Sequence, residues 1–411
     1  MNVFPSFWSI GIFSNECFSS ICDSGFLTIG IPSIKRITGT EYVTKTISSL
    51  AEHTTSSEKL ETVVIVFLAD FDRAYNERAL EKLKDKFRDL ISIGFLQIIQ
   101  ATKDYYPDFD HLKHNFKDKD DRVRWRSKQV MDFAFLFMYA QNQSQYYLQL
   151  EDDVISADNY IPSIKSYIAY QNKPWVMLEF SELGFIGKLF KTKDLPKLAK
   201  FMLTLFEEQP IDWLLRYFRL ALTQDDILMR KPTLFQHIGL KSSFDITSDN
   251  KLKDRFFDNG EKKWRGDDPP AKVYTVMQMF DHYHPDLCYA SGSGYFWAKE
   301  PQKGDDITVR FDSPQRVKRI VVETGNGAHP KDILHSGILE TSPRFLRYMK
   351  RGNVSAVLCA DWKTVAKFEE GKADTGELST WNKPVHCMRV TQTEQQESWV
   401  VYQQIAVFIY T

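Results

Sequence analysis

The sequence predicts an α/β domain followed by a β-sandwich, and three observations support this prediction. Apolar runs alternate with amphipathic helical runs over roughly the first 150 residues, which is typical of a doubly wound α/β domain. One apolar run ends at three consecutive carboxylates, Glu151, Asp152 and Asp153. Short β-forming runs separated by turns follow Pro269 and Pro270. With 411 residues, 43% hydrophobic and 26% charged, the chain is long enough for about two or three domains.

The first elements of the α/β domain follow the chain in order. Residues 26–32 form an apolar run that predicts a buried strand, and the basic pair Lys35 and Arg36 follows it. Residues 42–53 have helical spacing. Residues 63–69 are apolar without alternation, which predicts a parallel strand covered on both faces.

The next elements lead to the carboxylate triplet. Residues 73–90 are predicted as one amphipathic helix, residues 96–99 as a strand and residues 146–150 as the strand that ends at the triplet. A helix opening at residue 123 precedes this last strand. It carries Arg124, Arg126 and Lys128, which are either a diphosphate-binding cluster or a solvated basic face.

The triplet itself indicates a cation site. Carboxylates this close raise one another's pKa unless a positive group neutralises them. A divalent metal with bound phosphate oxygens would do so through oxygen ligands alone. The alternative is an acidic turn with solvated side chains. The apolar strand leading into the triplet favours a site, because ligands of α/β sheets bind at the carboxyl ends of strands.

Beyond the triplet, residues 175–180 are predicted as a strand, residues 181–190 as a loop whose glycines allow close approach to a ligand, and residues 194–208 as a helix. A further helix starts after Pro210. Asp212 in its first turn is either a general base or a favourable first-turn acid. His237 lies between apolar residues, where a single histidine is more often a core residue than a ligand.

The sequence pattern changes at residues 264–270, a polar segment that ends in Pro-Pro. We interpret this segment as a domain boundary. Residues 306–311, 317–323 and 400–409 then predict short strands. We therefore expect an N-terminal segment over residues 1–24 without a clear membrane anchor, an α/β domain over residues 25–265 and a β-sandwich over residues 270–411.

Charge and cysteine content restrict the partners. Lys and Arg number 53 against 54 Asp and Glu, so no net field attracts nucleic acid or an acidic membrane. The five cysteines include no CxxC pair, which argues against structural zinc. Cys359 and Cys387 are a candidate disulfide in the C-terminal part. Sequons at Asn142 and Asn353 would permit glycosylation in a secretory compartment, although such triplets often arise by chance.

Several runs resemble one known family in collinear order. They are residues 27–32, 123–129, 147–153, 178–188, 209–215 and 234–239. Together they resemble the N-acetylglucosaminyltransferase IV family, the alpha-1,3-mannosyl-glycoprotein 4-beta-N-acetylglucosaminyltransferases of N-glycan branching. The resemblance covers roughly residues 25 to 245 densely.

The resemblance implies a GT-A fold, a UDP-GlcNAc donor, a divalent metal that is normally Mn²⁺, inversion at the anomeric carbon and an N-glycan acceptor on a glycoprotein. It also implies the Golgi lumen or the secretory pathway. Asp153 is the implied metal ligand, with His237 as a second ligand from the far side. Asp212 is implied as the catalytic base, and Glu182 is a less favoured candidate. The implied donor-binding residues are Ile31, Pro32, Arg36, Asp70, Arg124, Lys128, Glu151 and Asp152, of which the last two would position the ribose or the donor sugar.

Members of that family also carry a C-terminal lectin-like β-sandwich, and residues 295–298 and 326–330 resemble its signature positions. The implied glycan-binding residues are Asn326, His329 and Asp332, whereas Ala328 stands where the family has an acidic residue.

Two other classes of function stay open. One is a catalytically inactive relative that binds glycans or regulates. The other is a metal-dependent hydrolase of nucleotide sugars, disfavoured because the sequence lacks a clustered two-metal His/Asp set.

Overall fold

Two compact units make up the described part of the chain in the computed structural model, one over the α/β elements and one over the C-terminal strands. The structure describes residues 25–36, 38–240, 252–257, 263–281, 283–289, 294–326, 329–351, 354–378 and 384–410. Within these ranges, no helix combines the length and apolarity that a membrane crossing requires. The segment 1–24, Ala328 and the sequon residue Asn353 lie outside the described residues.

The first unit is built on a six-stranded sheet. The strands of this unit are β1 Leu27–Ser33, β2 Thr62–Leu68, β3 Leu96–Ile99, β4 Tyr146–Gln149, β5 Val154–Ser156, β6 Met177–Glu179, β7 Lys188–Lys191 and β8 Phe235–His237. Strands β5 and β8 pair with each other, apart from the six-stranded sheet. The helices of this unit are α1 Val43–Glu52, α2 Ser56–Lys59, α3 Arg73–Lys86, α4 Arg88–Ser92, α5 Asp120–Ala140, α6 Tyr160–Tyr170, α7 Leu195–Thr204 and α8 Ile211–Ala221.

The strand order in this sheet is β3-β2-β1-β4-β7-β6. The first four of these strands are parallel, whereas β7 runs antiparallel to both β4 and β6. Every residue of β2 is buried, which confirms a strand covered on both faces. The carboxyl ends of β1 and β4 therefore meet at one edge, where the carboxylate triplet follows β4.

A close contact fixes β1 against β4. Gly30 is paired with Gln149, and a Cβ on Gly30 would lie 2.6 Å from Tyr147 Cζ, so the tyrosine ring occupies the space that a side chain would need. Tyr147 Oη donates to Gln149 Oε1 over 2.6 Å, and Gln149 Nε2 donates to the Gly30 carbonyl over 3.0 Å. These buried groups satisfy one another between the two strands.

Three predicted elements have different bounds in the structure. The predicted helix over residues 73–90 is wrong as one element, because it is interrupted at Phe87, which leaves the helical region with φ −117° and ψ 29°. The predicted loop over residues 181–190 is wrong at its end, since β7 begins at Lys188 and pairs with β4. The predicted helix over residues 194–208 is too long, because α7 ends at Thr204.

The second unit contains two antiparallel sheets, of strand order β10-β19-β12-β17 and β16-β13-β18-β11-β9, and a separate hairpin β14-β15. Its strands are β9 Ala271–Thr275, β10 Phe296–Ala298, β11 Asp306–Gln315, β12 Val317–Thr324, β13 Gly337–Ser342, β14 Arg344–Arg351, β15 Val354–Ala360, β16 Lys363–Lys367, β17 Lys372–Asp374, β18 Val385–Gln392 and β19 Val400–Ile409. The prediction of a β-rich C-terminal part is confirmed.

One hydrophobic core is shared by both sheets, with Val309 and Met388 contributed by one sheet and Val322 and Val407 by the other. A disulfide joins Cys359 on β15 to Cys387 on β18, as the sequence indicated, and links the hairpin to the five-stranded sheet. Asp268 accepts a hydrogen bond from Val407 N over 2.8 Å, so the polar segment before β9 packs on β19.

Candidate active site

The short pair β5-β8 brings His237 to the carboxylate triplet. Val154, which follows the triplet directly, is opposite His237 in the antiparallel register. Ile238 N donates to the Asp153 carbonyl over 2.8 Å, which holds the two segments together. As a result His237 Nε2 lies 3.0 Å from Asp153 Oδ2, and both side chains are almost fully buried.

Glu151, Asp153 and His237 form a cluster whose donor atoms all lie within 4.8 Å of one another. Asp153 Oδ1 and His237 Nδ1 are buried and have no hydrogen-bond partner among the described residues. These two unpartnered atoms and the Glu151 carboxylate are oxygen and nitrogen donors of the kind that divalent cations bind. Two carboxylates and an imidazole therefore fit a divalent cation such as Mn²⁺.

The absence of a side chain at Gly239 makes room for Asp153 and His237. A Cβ at this position would lie 2.9 Å from both Cε1 and Nε2 of His237, and closer still to Asp153 Oδ2. Real Cβ atoms essentially never approach other atoms to less than 3.0 Å. A side chain at position 239 is therefore incompatible with the observed positions of Asp153 and His237.

Asp152 connects the triplet to the end of β1. Its carboxylate accepts hydrogen bonds from Arg36 Nη2 over 2.6 Å and from Ser33 Oγ over 2.7 Å. Arg36 Nη2 also donates to Asp153 Oδ2 over 2.9 Å. One buried arginine thus bridges two members of the triplet and partly offsets their charge.

The three carboxyls titrate differently because their surroundings differ. Burial, together with the charges of Asp153, Asp212 and Asp152, raises the pKa of Glu151 well above its usual range. Burial also raises the pKa of Asp152, although Arg36 opposes the shift. Burial acts in the same direction on Asp153, but the His237 hydrogen bond and the Arg36 charge outweigh it and lower the pKa of Asp153.

Asp212 and Glu151 face each other across Gly184. A Cβ on Gly184, which has φ +29°, would lie 3.7 and 3.8 Å from the two Asp212 carboxylate oxygens and 3.8 Å from Glu151 Oε1. Asp212 is exposed in the first turn of α8. Partial desolvation raises the pKa of Asp212 despite this exposure, and the positive charge of Lys188 opposes the shift. An accessible carboxylate therefore stands beside the buried cluster.

A pocket at this edge of the sheet brings together five of the residues predicted to bind the donor, namely Pro32, Arg36, Lys128, Glu151 and Asp152. Trp125 contributes an aromatic side chain to the same lining. Lys128 Nζ is already engaged, since it donates to the Ala69 carbonyl over 2.6 Å and to the Asp132 carboxylate over 2.7 Å.

Other predicted residues lie in different surroundings. Ile31 is fully buried in β1, and Asp70 Oδ2 accepts from Lys35 N over 2.9 Å. Arg124 is half-exposed and pairs with Asp110 over 2.8 Å. Glu182 is engaged by Arg255, whose Nη2 donates to it over 2.8 Å.

The predicted basic cluster on α5 is dispersed around the helix. Residues two apart on a helix point about 200° apart, so Arg124 and Arg126 cannot share a face. Arg126 is fully buried, with Nε 3.2 Å from Asp118 Oδ2. Lys128 alone of the three lines the pocket.

Sequence reasoning missed the contributions of Ser33, Lys188 and Gly239. Lys188 is buried and donates to Glu179 Oε2 over 2.6 Å and to the Ser181 carbonyl over 2.9 Å. The sequence predicted a loop over residues 181–190, so it gave no signal that Lys188 would be buried and require a partner. Gly239, two residues after His237, was visible in the sequence as a position that could leave room beside the histidine.

In the second unit, aromatic side chains surround the residues predicted to bind a glycan. The rings of Trp297 and His329 lie 4.1 Å apart, and those of Trp297 and Trp399 lie 5.6 Å apart. His329 N donates to Asn326 Oδ1 over 2.8 Å, and His329 Nδ1 lies 3.9 Å from Asp332 Oδ2. The three predicted residues are thus neighbours of a partly exposed tryptophan pair.

An α/β sheet with a carboxylate–histidine cluster and an accessible carboxylate at its carboxyl edge is the arrangement of an enzyme that binds its substrate there. The family model described as "MGAT4 conserved region" matches residues 21–257, and the family model described as "MGAT4 C-terminal domain" matches residues 271–404. The chain therefore belongs to the MGAT4 family, a family of N-acetylglucosaminyltransferases, which confirms the resemblance seen in the sequence.

Relatives from vertebrates show the extent of the similarity. Alpha-1,6-mannosyl-glycoprotein 4-beta-N-acetylglucosaminyltransferase of Gallus gallus is 40% identical over 93% of this chain and 81% of its own length. Alpha-1,3-mannosyl-glycoprotein 4-beta-N-acetylglucosaminyltransferase C of Sus scrofa is 40% identical over 93% of this chain and 79% of its own length. Among solved structures, S. aureus TarS 1-349 aligns over 51% of this chain and 59% of that chain with 13% identity and a TM-score of 0.31, too low for an argument about fold.

Proposed function

We propose that this chain transfers N-acetylglucosamine from UDP-GlcNAc to a mannose of an N-glycan in beta-1,4 linkage, with inversion, on a GT-A fold. The observation that carries the proposal is the exposed Asp212 carboxylate, which faces Glu151 across Gly184 beside the buried cluster. The relatives named above are 4-beta-N-acetylglucosaminyltransferases of mannosyl-glycoproteins, which supports the same chemistry and a place in the Golgi lumen or secretory pathway.

Asp212 serves as the general base in this proposal. It accepts the proton of the attacking mannose hydroxyl while the hydroxyl oxygen bonds to the anomeric carbon of the donor and the bond from that carbon to the diphosphate oxygen breaks. An inverting transfer needs one such carboxylate on the acceptor side. The exposure of Asp212 gives the acceptor hydroxyl direct access to it.

Asp153 and His237, with Glu151, would hold Mn²⁺ in the same proposal. When bound, this cation supplies positive charge that stabilises the diphosphate leaving group. Arg36 and Ser33 hold Asp152 at the edge of the donor pocket, which suits a role of Asp152 in orienting the donor. Lys128 contributes a positive charge to the lining of the same pocket.

Replacing Asp212 by Asn tests the role of the base. Asp212→Asn keeps the shape of the side chain but removes its basicity, so transfer to a biantennary N-glycan should fall by about 10²- to 10⁴-fold. The Kd for UDP with Mn²⁺, measured by calorimetry, should stay at the wild-type value. Asp153→Ala is the matched opposite, because it should weaken Mn²⁺-dependent UDP binding. An equal loss of transfer and of UDP binding in Asp212→Asn would contradict the assignment.

One assay separates this function from the two other classes. The wild-type chain is incubated with UDP-GlcNAc and Mn²⁺, with and without a biantennary N-glycan, and both glycan mass and free UDP are read. Transfer adds one N-acetylglucosamine to the glycan. A hydrolase would release UDP equally in both reactions, and an inactive relative would release none. The exposed Asp212 beside an intact cluster favours transfer.

A second candidate function is glycan binding by the C-terminal unit, favoured by the tryptophan pair next to Asn326, His329 and Asp332. Partly exposed aromatic rings beside hydrogen-bonding side chains suit the apolar and polar faces of a sugar. On an array of N-acetylglucosamine-bearing glycans, Trp297→Ala should lose binding. Trp362→Ala is the control, since Trp362 packs on Arg389 instead. Equal binding by both variants would remove this function from the Trp297 cluster.

A further inference from the structure

A pair of exposed aromatic rings lies beside Asp212, and the mechanism above does not use it. Trp213 follows Asp212 directly, and its side chain is 50% exposed. Phe116 is 53% exposed and contacts Trp213 edge-on, with ring centroids 5.1 Å apart and an interplanar angle of 82°. Large aromatic side chains that are exposed next to one another indicate a binding surface, whereas a single exposed aromatic residue does not.

The exposed face of α8 carries charge as well as aromatic surface. Trp213 and Tyr217 are four residues apart and therefore lie on one face, with Tyr217 49% exposed. Asp212 and Arg216 are also exposed and border this face. The face therefore combines flat apolar rings with charged hydrogen-bonding groups, which is the combination that a sugar requires.

The loop that carries Phe116 is held in an uncommon conformation. Phe116 and Lys117 both have positive φ, 60° and 59°, which non-glycine residues adopt at a cost and which clusters at functional sites. Two contacts with the segment before α8 stabilise the loop. Lys113 Nζ donates to Glu208 Oε2 over 2.7 Å, and Asn115 Nδ2 donates to the Glu208 carbonyl over 2.9 Å.

Buried Arg126 joins the same two segments from beneath. Its Nη1 donates to the Glu207 carbonyl over 2.9 Å, its Nε pairs with Asp118 over 3.2 Å, and its guanidinium lies 5.9 Å from the centre of the Phe116 ring. The arginine therefore fixes the position of Phe116 relative to the start of α8. The aromatic pair is a built surface, because a fully buried charge and a strained backbone both support it.

We propose that Trp213 and Phe116 form the acceptor subsite, on which a pyranose ring of the N-glycan stacks. The inference rests on the proposed transfer. A pyranose presents a C–H-rich face that packs on an aromatic ring and hydroxyls that bond to charged groups at its rim. Asp212 and Trp213 share the first turn of α8 and point about 100° apart, so an acceptor that stacks on Trp213 and extends around this turn would present a hydroxyl to Asp212.

Acceptor kinetics test this subsite. Trp213→Ala should raise the KM for a biantennary N-glycan about tenfold, which corresponds to about 1.4 kcal/mol. The Kd for UDP with Mn²⁺ should not change. Trp213→Phe retains a stacking ring and should recover most of the acceptor affinity. Leu220→Ala is the matched control, because Leu220 is also exposed on α8 but lies about 10 Å further along the helix. It should keep the wild-type KM.

The outcomes separate this inference from the proposed function. If the wild-type chain transfers and Trp213→Ala keeps the wild-type acceptor KM, the subsite is refuted. If the wild-type chain does not transfer, the proposed function fails, and direct binding then decides on the subsite. For that measurement the glycan is titrated into Trp297→Ala by NMR, so that the C-terminal unit does not contribute. The same titration is then made with the double variant Trp297→Ala, Trp213→Ala. If the glycan signals broaden with Trp297→Ala but not with the double variant, the subsite is supported. Equal broadening with both proteins overturns it.

Discussion

Replacing Gly239 by Ala should weaken Mn²⁺ binding without unfolding the chain. The added Cβ would lie 2.9 Å from His237 Nε2, whereas an ordinary contact begins at 3.4 Å, so the imidazole must move by 0.5 Å, the difference between these two values. Asp153 must move further, because the Cβ would lie closer to its Oδ2. Ligand constellations tolerate about 0.5 Å of displacement. We therefore expect Mn²⁺ affinity to fall by at least about tenfold.

The measurement is Mn²⁺ titration by calorimetry in the presence of UDP, with the melting temperature recorded in parallel. Gly304→Ala is the control, because nothing lies within 4 Å of a Cβ added there. Its φ of +90° is unfavourable for alanine, so this substitution should lower the melting temperature without affecting Mn²⁺ binding. It should bind Mn²⁺ as the wild-type chain does. Unchanged Mn²⁺ affinity in Gly239→Ala would refute the reasoning, since Asp153 and His237 could then not bind the metal from their observed positions.

Two further predictions concern charge and covalent linkage. Lys188→Met removes the positive charge that opposes the raised pKa of Asp212, so Asp212 stays protonated to higher pH and the acidic limb of the kcat/KM profile should move to higher pH. Lys188→Arg keeps the charge and should keep the acidic limb of the wild-type profile. Coincident profiles of all three proteins would contradict the role of Lys188. Cys359→Ser opens a bridge between residues 28 apart and should cost the C-terminal unit about 3.6 kcal/mol in urea unfolding. Reduction of the wild-type bridge should cost the same, and a loss of less than half that value would contradict the estimate.

Much of the first sheet follows from the sequence because its signals are local. The apolar runs that became β1 and β2 carry their own evidence of burial, and the carboxylates after β4 mark the edge where a ligand binds. Pro210 likewise marked the start of α8 and placed Asp212 in its first turn, whereas the role of Asp212 as the base came from the family resemblance. Each of these inferences uses fewer than ten consecutive residues.

The partners within the candidate site could not be predicted, because they depend on contacts distant in sequence. β5 and β8 are three residues each and are separated by about eighty residues, too short and too far apart for a pattern to pair them. Phe116 lies in an irregular loop whose position depends on buried Arg126. The sequence left the basic residues at the start of α5 open between a diphosphate-binding cluster and a solvated basic face, and neither alternative anticipated that Arg126 is fully buried.

The fit of Tyr147 over Gly30 links two strands that lie more than a hundred residues apart in the sequence. A substitution at either position alone would leave a clash or a cavity between β1 and β4. A shift of β4 by one residue would also turn its side chains to the opposite face and carry Glu151, Asp152 and Asp153 with them. Glycine at position 30 and tyrosine at position 147 should therefore change together among relatives, so that the pair preserves the alignment from which the active site emerges.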